Sequence, residues 1–326
     1  MSRSRGDSSD SERLNRRDLL LGLSAISISI SISTGLSGCR RPPPSEASVP
    51  VEADPPPPGG AWRVLDFPPA PDYPEGERAQ LLVPDAPAST PLLIALHGRG
   101  EAGRGLDIGA GAWPKEYELD RLHRRLLAPP LTGGDLQDMF SAARLERLNA
   151  SLAAAPYKGL SVACPATPVL GDRSPEGAQA FARFLVEALL PRMKKETGST
   201  ADRSTTGIDG VSMGGRLALL VGLTHPEIFG FVGALQPAIT VEEAPLISEL
   251  ARAANARASV VLRLVSSEAD PFLPAVRAAS ERLSRDGVVH ELLVIPGNHG
   301  YEFNRGPGGA EMLLWHERVQ RGLKAP

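Results

Sequence analysis

The sequence predicts an α/β fold, in which helices cover both faces of a mostly parallel sheet. Short apolar runs alternate with longer segments whose apolar residues recur at helical spacing, and this alternation is typical of strand–helix–strand units. Some short runs, such as PLLIALHG at 91–98, are apolar at nearly every position, as in strands buried on both faces. The 326-residue chain, 42% hydrophobic and 22% charged, has the length and composition of a globular protein.

The predicted elements extend from residue 91 to residue 323. After the strand at 91–98, a second buried run, GLSVACP, spans 159–165. The alternation continues with helix 177–195, strand 205–210, helix 214–226, strand 229–238, strand 258–267, helix 272–287, strand 288–300 and helix 310–323. We interpret the long interval 101–158 as a candidate cap over a site at the sheet edge. Trp113 within it is assigned to substrate binding, with packing in a local core as the alternative.

The N-terminal segment has the pattern of an export signal. Arg16 and Arg17 precede a weakly apolar stretch in which serine and isoleucine alternate. This stretch is too diluted for a stable membrane span, and its place behind a charged region favours a signal peptide over residues 1–38. NRRDLL resembles a twin-arginine signal, and LSGC resembles a bacterial lipobox, whose cysteine, here Cys39, is acylated with palmitate-type chains.

Residues 39–60 are then predicted to be a lipid anchor followed by a stiff spacer, because eight prolines within residues 40–60 cannot build a core. The resemblance implies a lipoprotein of the cell envelope, directed to the outer membrane because Arg40 rather than aspartate follows the cysteine. The alternative is that Cys39 is incidental in a plain signal peptide. A single domain is predicted from Ala61 to Pro326.

Charge and cysteine content exclude several other classes of function. The net charge is −3 and no basic patch stands out, so nucleic-acid binding is not predicted. The six histidines and two cysteines lack the spacing of a metal site, so no metal is predicted. Cys164 lies in an apolar run, and we expect a buried free thiol there.

The stretch IDGVSMGGRLALL at 208–220 has the pattern of a turn that carries a reactive serine. Three glycines surround Ser212 between a predicted strand and a predicted helix. In a tight strand-to-helix turn, side chains at Gly210 and Gly214 would collide with the neighbouring strand or helix. Such a turn leaves the serine hydroxyl exposed above the sheet, in strained backbone and near the N-terminal amides of the helix. Ser212 is therefore the predicted nucleophile.

A serine nucleophile needs a base, and the base needs an acid to orient it. His299, in PGNHGYEF, follows a late strand in a glycine-flanked loop and is the predicted base. Asp270, just past a strand end in LVSSEADPF, is the predicted acid, although Glu268 and a helix-capping role for Asp270 remain open. The order Ser212, Asp270, His299 is the one expected of α/β-hydrolases.

The HGRG turn after the first buried strand completes the predicted site. The backbone N–H groups of Arg99 and Met213 are predicted to form an oxyanion hole, which stabilises the negative charge of a tetrahedral intermediate. His97 is expected to hold this turn in place rather than to react.

Four segments, FLVEALLP, DGVSMGG, THPEIFGFVGALQPAI and PGNHGYEF, together resemble the esterase-D-like branch of the α/β-hydrolases. The resemblance implies an esterase that needs no metal or cofactor and acts on small-molecule or polysaccharide-linked esters through an acyl-enzyme on Ser212. Gln236 stands where the family commonly has serine, and we assign it to substrate binding. The alternatives are an acyltransferase or a peptidase with the same three residues, or a catalytically idle surface binding protein.

Overall fold

The computed structural model describes residues 59–326, and its centre is an eight-stranded sheet. The strands are β1 (Ala61–Phe67), β2 (Glu77–Val83), β3 (Leu92–Leu96), β4 (Ser161–Pro165), β5 (Thr206–Gly210), β6 (Phe231–Leu235), β7 (Val261–Ala269) and β8 (Glu291–Asn298). Their order across the sheet is β1-β2-β4-β3-β5-β6-β7-β8. β2 pairs antiparallel with both β1 and β4, and the remaining neighbours are parallel. The predicted fold class, an α/β-hydrolase fold with a mostly parallel sheet, is confirmed.

Helices connect the strands and cover the sheet. They are α1 (Leu106–Gly111), α2 (Leu119–Leu127), α3 (Ala142–Ala154), α4 (Gln179–Arg183), α5 (Leu190–Thr197), α6 (Met213–Thr224), α7 (Ala244–Arg257), α8 (Leu273–Arg285), α9 (Tyr301–Phe303) and α10 (Gly309–Gln320). A stretch of π-helix at Phe184–Leu189 joins α4 to α5. The helix predicted over 177–195 is therefore a continuous helical segment with a local widening.

Apolar side chains pack against both faces of the sheet. On β3, Leu92, Ile94 and Leu96 belong to one buried cluster, whereas Leu93 and Ala95 belong to the other. This division follows from the two-residue period of a strand, whose successive side chains point to opposite faces. Both clusters bury β3, which explains its continuous apolar run.

The sequence pattern does not predict β1, β2 or α7. β1 lies at the edge of the sheet, and Leu65 is its one fully buried residue, so its apolar signal is weak. The short turn before α7 starts with a capping box between Thr240 and Glu243, in which each side chain binds the other residue's backbone. β1, at the edge of the sheet, and α7, which follows a capping box, therefore form without a continuous apolar run in the sequence.

The interval 101–158 forms part of a helical layer. Leu122, Leu148 and Leu152 from α2 and α3 lie in one buried cluster with Leu93 and Val162 of the sheet. α2 also packs against α10. Apolar residues of the interval thus cover the sheet, while Glu101 and Tyr117 at its start line the cavity at Ser212, and the cap over the site stays a prediction.

The predicted signal peptide, Cys39 and most of the proline-rich spacer lie outside the described residues. Among residues 59–326, no helix combines the length and the apolar character needed to cross a membrane. Cys164 on β4 is a buried free thiol, as predicted, and burial raises its pKa.

Candidate active site

Ser212 lies in the turn between β5 and α6, with φ 58° and ψ −117°. A non-glycine residue rarely adopts a positive φ, so this backbone is strained. Two hydrogen bonds hold it: the N–H of Ser212 donates to Leu235 O at 2.9 Å, and the N–H of Val211 donates to Leu96 O at 3.0 Å. The strands on both sides of β5 thus fix the strained residue in place.

The glycines around Ser212 are required by close packing. A Cβ atom on Gly210 would lie 2.6 Å from the backbone of Gly214, and one on Gly214 would lie 2.4 Å from the carbonyl oxygen of Leu96. Both distances are well below van der Waals contact, so only glycine fits. The prediction that side chains at positions 210 and 214 would collide with neighbouring segments is confirmed.

The structure brings Ser212, His299 and Asp270 together. Ser212 Oγ lies 3.0 Å from His299 Nε2, and His299 Nδ1 lies 3.0 Å from Asp270 Oδ1. These residues follow β5, β8 and β7, whose carboxyl ends meet at one edge because the strands are parallel. Asp270 is an acceptor when ionised, so Nδ1 carries the proton and Nε2 is free to accept one from Ser212.

Asp270 is buried and fully hydrogen-bonded. Its Oδ2 accepts from Ser266 Oγ at 2.6 Å, and its Oδ1 also accepts from the N–H of Phe272 at 3.0 Å. The capping contact and the histidine contact therefore coexist in one carboxylate. Glu268 has an exposed side chain, and within residues 59–326 it forms no hydrogen bond with His299. The structure thus places Asp270, not Glu268, against the histidine.

The loop at Gly98–Gly100 lies beside the serine. A Cβ atom on Gly98 would lie 3.6 Å from Ser212 Cβ, and the Gly98 N–H donates to the hydroxyl of Tyr117 at 3.3 Å. Met213 is the first residue of α6, so its N–H has no carbonyl partner one turn earlier in the helix. The geometry is compatible with the predicted oxyanion role of the Arg99 and Met213 amides, which remains a prediction.

His97 holds this loop, as predicted. Its Nε2 accepts from the N–H of Thr167 at 2.8 Å, and its Nδ1 lies 2.7 Å from Gly98 O. One nitrogen accepts from an N–H and the other faces a carbonyl, so the ring is neutral with the proton on Nδ1. Burial lowers the pKa of His97, which favours the same neutral form.

The two residues assigned to substrate binding have different positions. Gln236 lines the cleft beside Ser212, but its Nε2 donates to Ser267 Oγ at 2.6 Å and to Asn298 O at 2.8 Å. Its amide therefore ties the loop that carries His299 to β7. The assignment of Trp113 is wrong: its ring is fully buried, so no surface is left for a ligand. The alternative, packing in a local core, is correct.

Three residues of the cleft were not predicted. Glu101 is buried, with 1% of its surface exposed, and its carboxylate accepts from the hydroxyls of Tyr117 and Tyr301. The hydrogen bond to Glu101 raises the pKa of Tyr301 to about 12. Tyr301 also lies close to the loop, since a Cβ atom on Gly100 would be 3.2 Å from its hydroxyl. The signal that sequence reasoning overlooked is the glutamate directly after the HGRG turn.

Two cavities meet at Ser212. The first has a volume of about 240 Å³ and is lined by Ser212, His299, Glu101, Tyr117 and Tyr301, among others. The second, of about 430 Å³, shares Ser212 and Arg99 with the first and is otherwise lined by different residues. Within residues 59–326 no group of three or more histidine, cysteine, aspartate or glutamate side chains is arranged to hold a metal ion.

Comparison with known proteins agrees with the esterase chemistry. Residues 145–283, which include Ser212 and Asp270, match the model of a family described as putative esterase. This match confirms the predicted class of enzyme, an esterase.

Solved structures share the fold. A ferulic acid esterase is 16% identical with a TM-score of 0.58, covering 80% of this chain and 99% of that one. An S-formylglutathione hydrolase, FrmB, from Staphylococcus aureus is 16% identical with a TM-score of 0.51, covering 80% and 96%. FphF, a fluorophosphonate-binding serine hydrolase of the same organism, is 15% identical with a TM-score of 0.53, covering 81% and 97%. At these identities the similarity establishes the α/β-hydrolase fold.

Proposed function

We propose that this protein is a serine hydrolase that cleaves carboxylic esters through an acyl-enzyme on Ser212. The observation that supports this most directly is the continuous chain of two 3.0 Å contacts from Ser212 through His299 to Asp270. The esterase family match over 145–283 supports the ester bond as the target.

In the first half of the reaction, Ser212 Oγ attacks the carbonyl carbon of the ester while His299 Nε2 takes the hydroxyl proton. Asp270 holds the resulting imidazolium. The carbonyl oxygen becomes an oxyanion, for which the amides of Arg99 and Met213 are the proposed donors. The bond to the alcohol oxygen then breaks, His299 gives that oxygen its proton, and the acyl group stays on Ser212.

In the second half, a water molecule takes the place of the alcohol. His299 accepts one proton from the water, whose oxygen attacks the acyl carbon, and the second tetrahedral intermediate collapses with release of the carboxylic acid. The proton returns to Ser212 Oγ, so the sum is ester and water to alcohol and acid. Nothing in this cycle requires a metal or a cofactor.

The nucleophile is tested with a fluorophosphonate probe, which reacts with activated serines. We expect the wild type to be labelled and the Ser212→Ala variant to be unlabelled and inactive on p-nitrophenyl acetate. Ser89→Ala is the matched control, because the exposed Ser89 precedes β3 and so lies at the opposite edge of the sheet. Labelling that survives in Ser212→Ala would show that another residue is the nucleophile.

The substrate class is tested with a panel of p-nitrophenyl esters, feruloyl esters and peptide anilides. Feruloyl esters are included because one of the similar structures is that of a ferulic acid esterase. We expect turnover of the esters and not of the anilides. Faster cleavage of anilides would favour a peptidase, and acyl transfer to an added alcohol in preference to water would favour an acyltransferase.

We further propose that the protein is exported and held at the cell envelope by lipid on Cys39. Support comes from the order of NRRDLL, the apolar stretch and LSGC along the N-terminal sequence. Replacing Cys39 with alanine is expected to move the protein from the membrane fraction to the soluble fraction. Unchanged fractionation of Cys39→Ala would rule out the anchor without affecting the proposed esterase activity.

A further inference from the structure

The second cavity at Ser212 has a different chemical character from the first. Its walls include the apolar side chains of Leu170, Leu217 and Phe272, and no aspartate or glutamate of the described residues 59–326 lines it. Three arginines also line it: Arg173 and Arg216 belong to this cavity alone, and Arg99 lies where the two cavities meet and lines both. An apolar space bordered by guanidinium groups therefore begins at the proposed nucleophile.

Only part of this positive charge is neutralised by neighbouring acids. Arg216 is nearly buried, and its Nε donates to Glu243 Oε1 at 2.7 Å. Arg173 donates one bond to the other oxygen of the same carboxylate, at 3.0 Å, while 55% of its side chain stays exposed. Asp172, next to Arg173 in the chain, is an exposed second acid: its carboxylate accepts from the N–H and the hydroxyl of Ser174, and its charge also acts on Arg216.

Arg99 adds a charge without a counterion. Its side chain is exposed, and within residues 59–326 it forms no ion pair. Glu243 is thus shared by Arg173 and Arg216, Asp172 adds a second negative charge near Arg216, and Arg99 has no acid paired with it in the described part of the chain. Exposed Nε and Nη donors of Arg99 and Arg173 remain available to a ligand, since each guanidinium has five N–H groups.

The position of His299 indicates which part of an ester occupies this cavity. His299 lines the first cavity and not the second. In the proposed reaction the histidine delivers a proton to the alcohol oxygen, so the alcohol lies on the side of the first cavity. The acyl group, on the opposite side of the carbonyl carbon, then extends into the cavity lined by arginines.

We propose that the enzyme prefers esters whose acyl group carries a carboxylate at its far end, which Arg99 and Arg173 bind. This inference rests on the proposed esterase function and specifies its substrate class. A short methylene chain would pack against the apolar walls, and the terminal carboxylate would receive charge-assisted hydrogen bonds from the guanidinium groups. Two such bonds at a partly exposed site are expected to give a preference of about 10- to 100-fold.

The test compares three ethyl esters that differ only in terminal charge. Monoethyl adipate is anionic, ethyl 6-methylheptanoate is a neutral counterpart of similar shape, and ethyl 6-aminohexanoate is cationic. The rate is measured as ethanol released by the purified enzyme. We expect kcat/KM to be highest for the adipate and lowest for the amine, and the ratio of adipate to neutral ester to fall as salt screens the charges.

The arginines are tested through the same ratio, which cancels effects common to both esters. In Arg99→Gln and in Arg173→Gln the adipate-to-neutral ratio should fall about tenfold. Arg285→Gln is the charge-matched control, because Arg285 ends α8, 12 residues and about 18 Å beyond the helix start near Asp270. The control ratio should equal that of the wild type, and thermal melting checks that each variant is folded.

The outcomes separate this inference from the proposed function. Hydrolysis of the neutral ester without any preference for the adipate would overturn the substrate class and leave the esterase in place. A preference that survives in both Arg99→Gln and Arg173→Gln would show that other groups bind the carboxylate. Failure to hydrolyse any ester, here and in the wider panel, would instead remove the proposed function.

Discussion

Two aspartate–histidine pairs lie on either side of the serine turn. In the cleft pair, Asp270 and His299, the two side chains meet at 3.0 Å, and 25% of the histidine side chain is exposed. In the core pair, Asp209 on β5 and His316 on α10 meet at 3.1 Å, and the histidine is fully buried. The residue types and distances are nearly the same, but the surroundings are not.

The second ring nitrogen of each histidine separates the two pairs. In His299 it faces the hydroxyl of Ser212 at 3.0 Å, and in His316 it faces the side-chain amide of Gln320, also at 3.0 Å. A catalytic base must accept a proton from a neighbouring hydroxyl and must be reachable by the substrate. Of these two pairs, only the cleft pair meets both conditions. Asp209 also accepts from the N–H of Gly210 at 2.7 Å, so the core pair braces β5 directly behind the turn.

Removing the base of the cleft pair should have the largest effect. We expect His299→Ala to lower kcat/KM for p-nitrophenyl acetate by about 10⁴- to 10⁶-fold, because Ser212 loses its proton acceptor. The melting temperature should fall less than on removal of His316, because loss of the partly exposed His299 ring admits water to Asp270, which also keeps its bonds from Ser266 and Phe272. His290→Ala is the control: His290 precedes β8, at the opposite end of that strand, and should keep wild-type activity. Substantial residual activity in His299→Ala would remove the cleft pair from the mechanism.

The acid of the cleft pair gives the next largest effect. Asp270→Asn should lower kcat by about 10⁴-fold, because the amide no longer fixes the histidine tautomer that accepts the serine proton. Glu268→Gln, the nearest carboxylate control, should lower kcat by about tenfold or less. Steady-state kinetics on both variants, with thermal melts to verify folding, measure this. A large loss in Glu268→Gln beside a nearly intact Asp270→Asn would reverse the assignment.

The core pair should affect stability rather than catalysis. His316→Ala leaves the Asp209 carboxylate buried without its partner, which should lower the free energy of unfolding by about 3–5 kcal/mol. Urea denaturation measures this loss, and kcat of the folded fraction should stay within a few-fold of the wild type. His225→Ala, at the more exposed end of α6, is the control. If His316→Ala kept its stability but lost activity, the two pairs would not be functionally distinct.

Much of the cleft pair was predictable because local patterns determine it. The glycines around Ser212 specify a turn that excludes side chains, and a glycine-flanked histidine after a late strand follows from the alternating fold. The choice between Glu268 and Asp270 was not predictable from the two-residue period of a strand, which puts both on one side. β7 has an irregularity between Ser267 and Ala269, so Glu268 is exposed and Asp270 is buried.

Other parts of the site depend on packing between distant segments. Trp113 is an aromatic residue of the kind that can bind a substrate, but in the fold it is buried in one cluster with apolar residues of α2 and α3. No sequence pattern near Glu101 indicates its hydrogen bonds with Tyr117 and Tyr301, which lie 16 and 200 residues away in sequence. The core pair likewise joins residues 107 apart. Such contacts become visible only when the sheet brings its connections together.

The smallest predicted effect concerns acid stability and the buried histidines. His123 is buried on α2, where its Nε2 donates to Gly59 O at 2.7 Å and its Nδ1 lies 3.3 Å from the hydroxyl of Tyr157. Burial lowers the pKa of His123, as it does for His97 and His316. The folded protein therefore resists protonation of these rings at a pH where the unfolded chain, with an ordinary histidine pKa near 6.5, accepts it.

The sign of the effect follows from proton binding. Above about pH 6.5 the ring is neutral in both states, and as the pH falls below that value the unfolded state gains a proton that the folded state refuses, so stability falls. One proton changes the free energy of unfolding by at most about 1.4 kcal/mol per pH unit. Glu77 opposes this slope, because burial raises its pKa to about 7 and makes the folded state the better proton acceptor.

Comparing the pH dependence of stability in the wild type and in a His123 variant separates the contribution of His123 from that of Glu77. We expect His123→Gln to lose less stability than the wild type between pH 6.5 and pH 5.5, by about 1 kcal/mol, when both are unfolded with urea at each pH. Glutamine keeps a donor for Gly59 O but binds no proton in this range, and Glu77 is the same in both proteins. Parallel pH profiles for the two proteins would mean that His123 is protonated equally in the folded and unfolded states. In that case its burial between Gly59 and Tyr157 would not exclude the charged ring, and acid sensitivity would have to arise at His97 and His316.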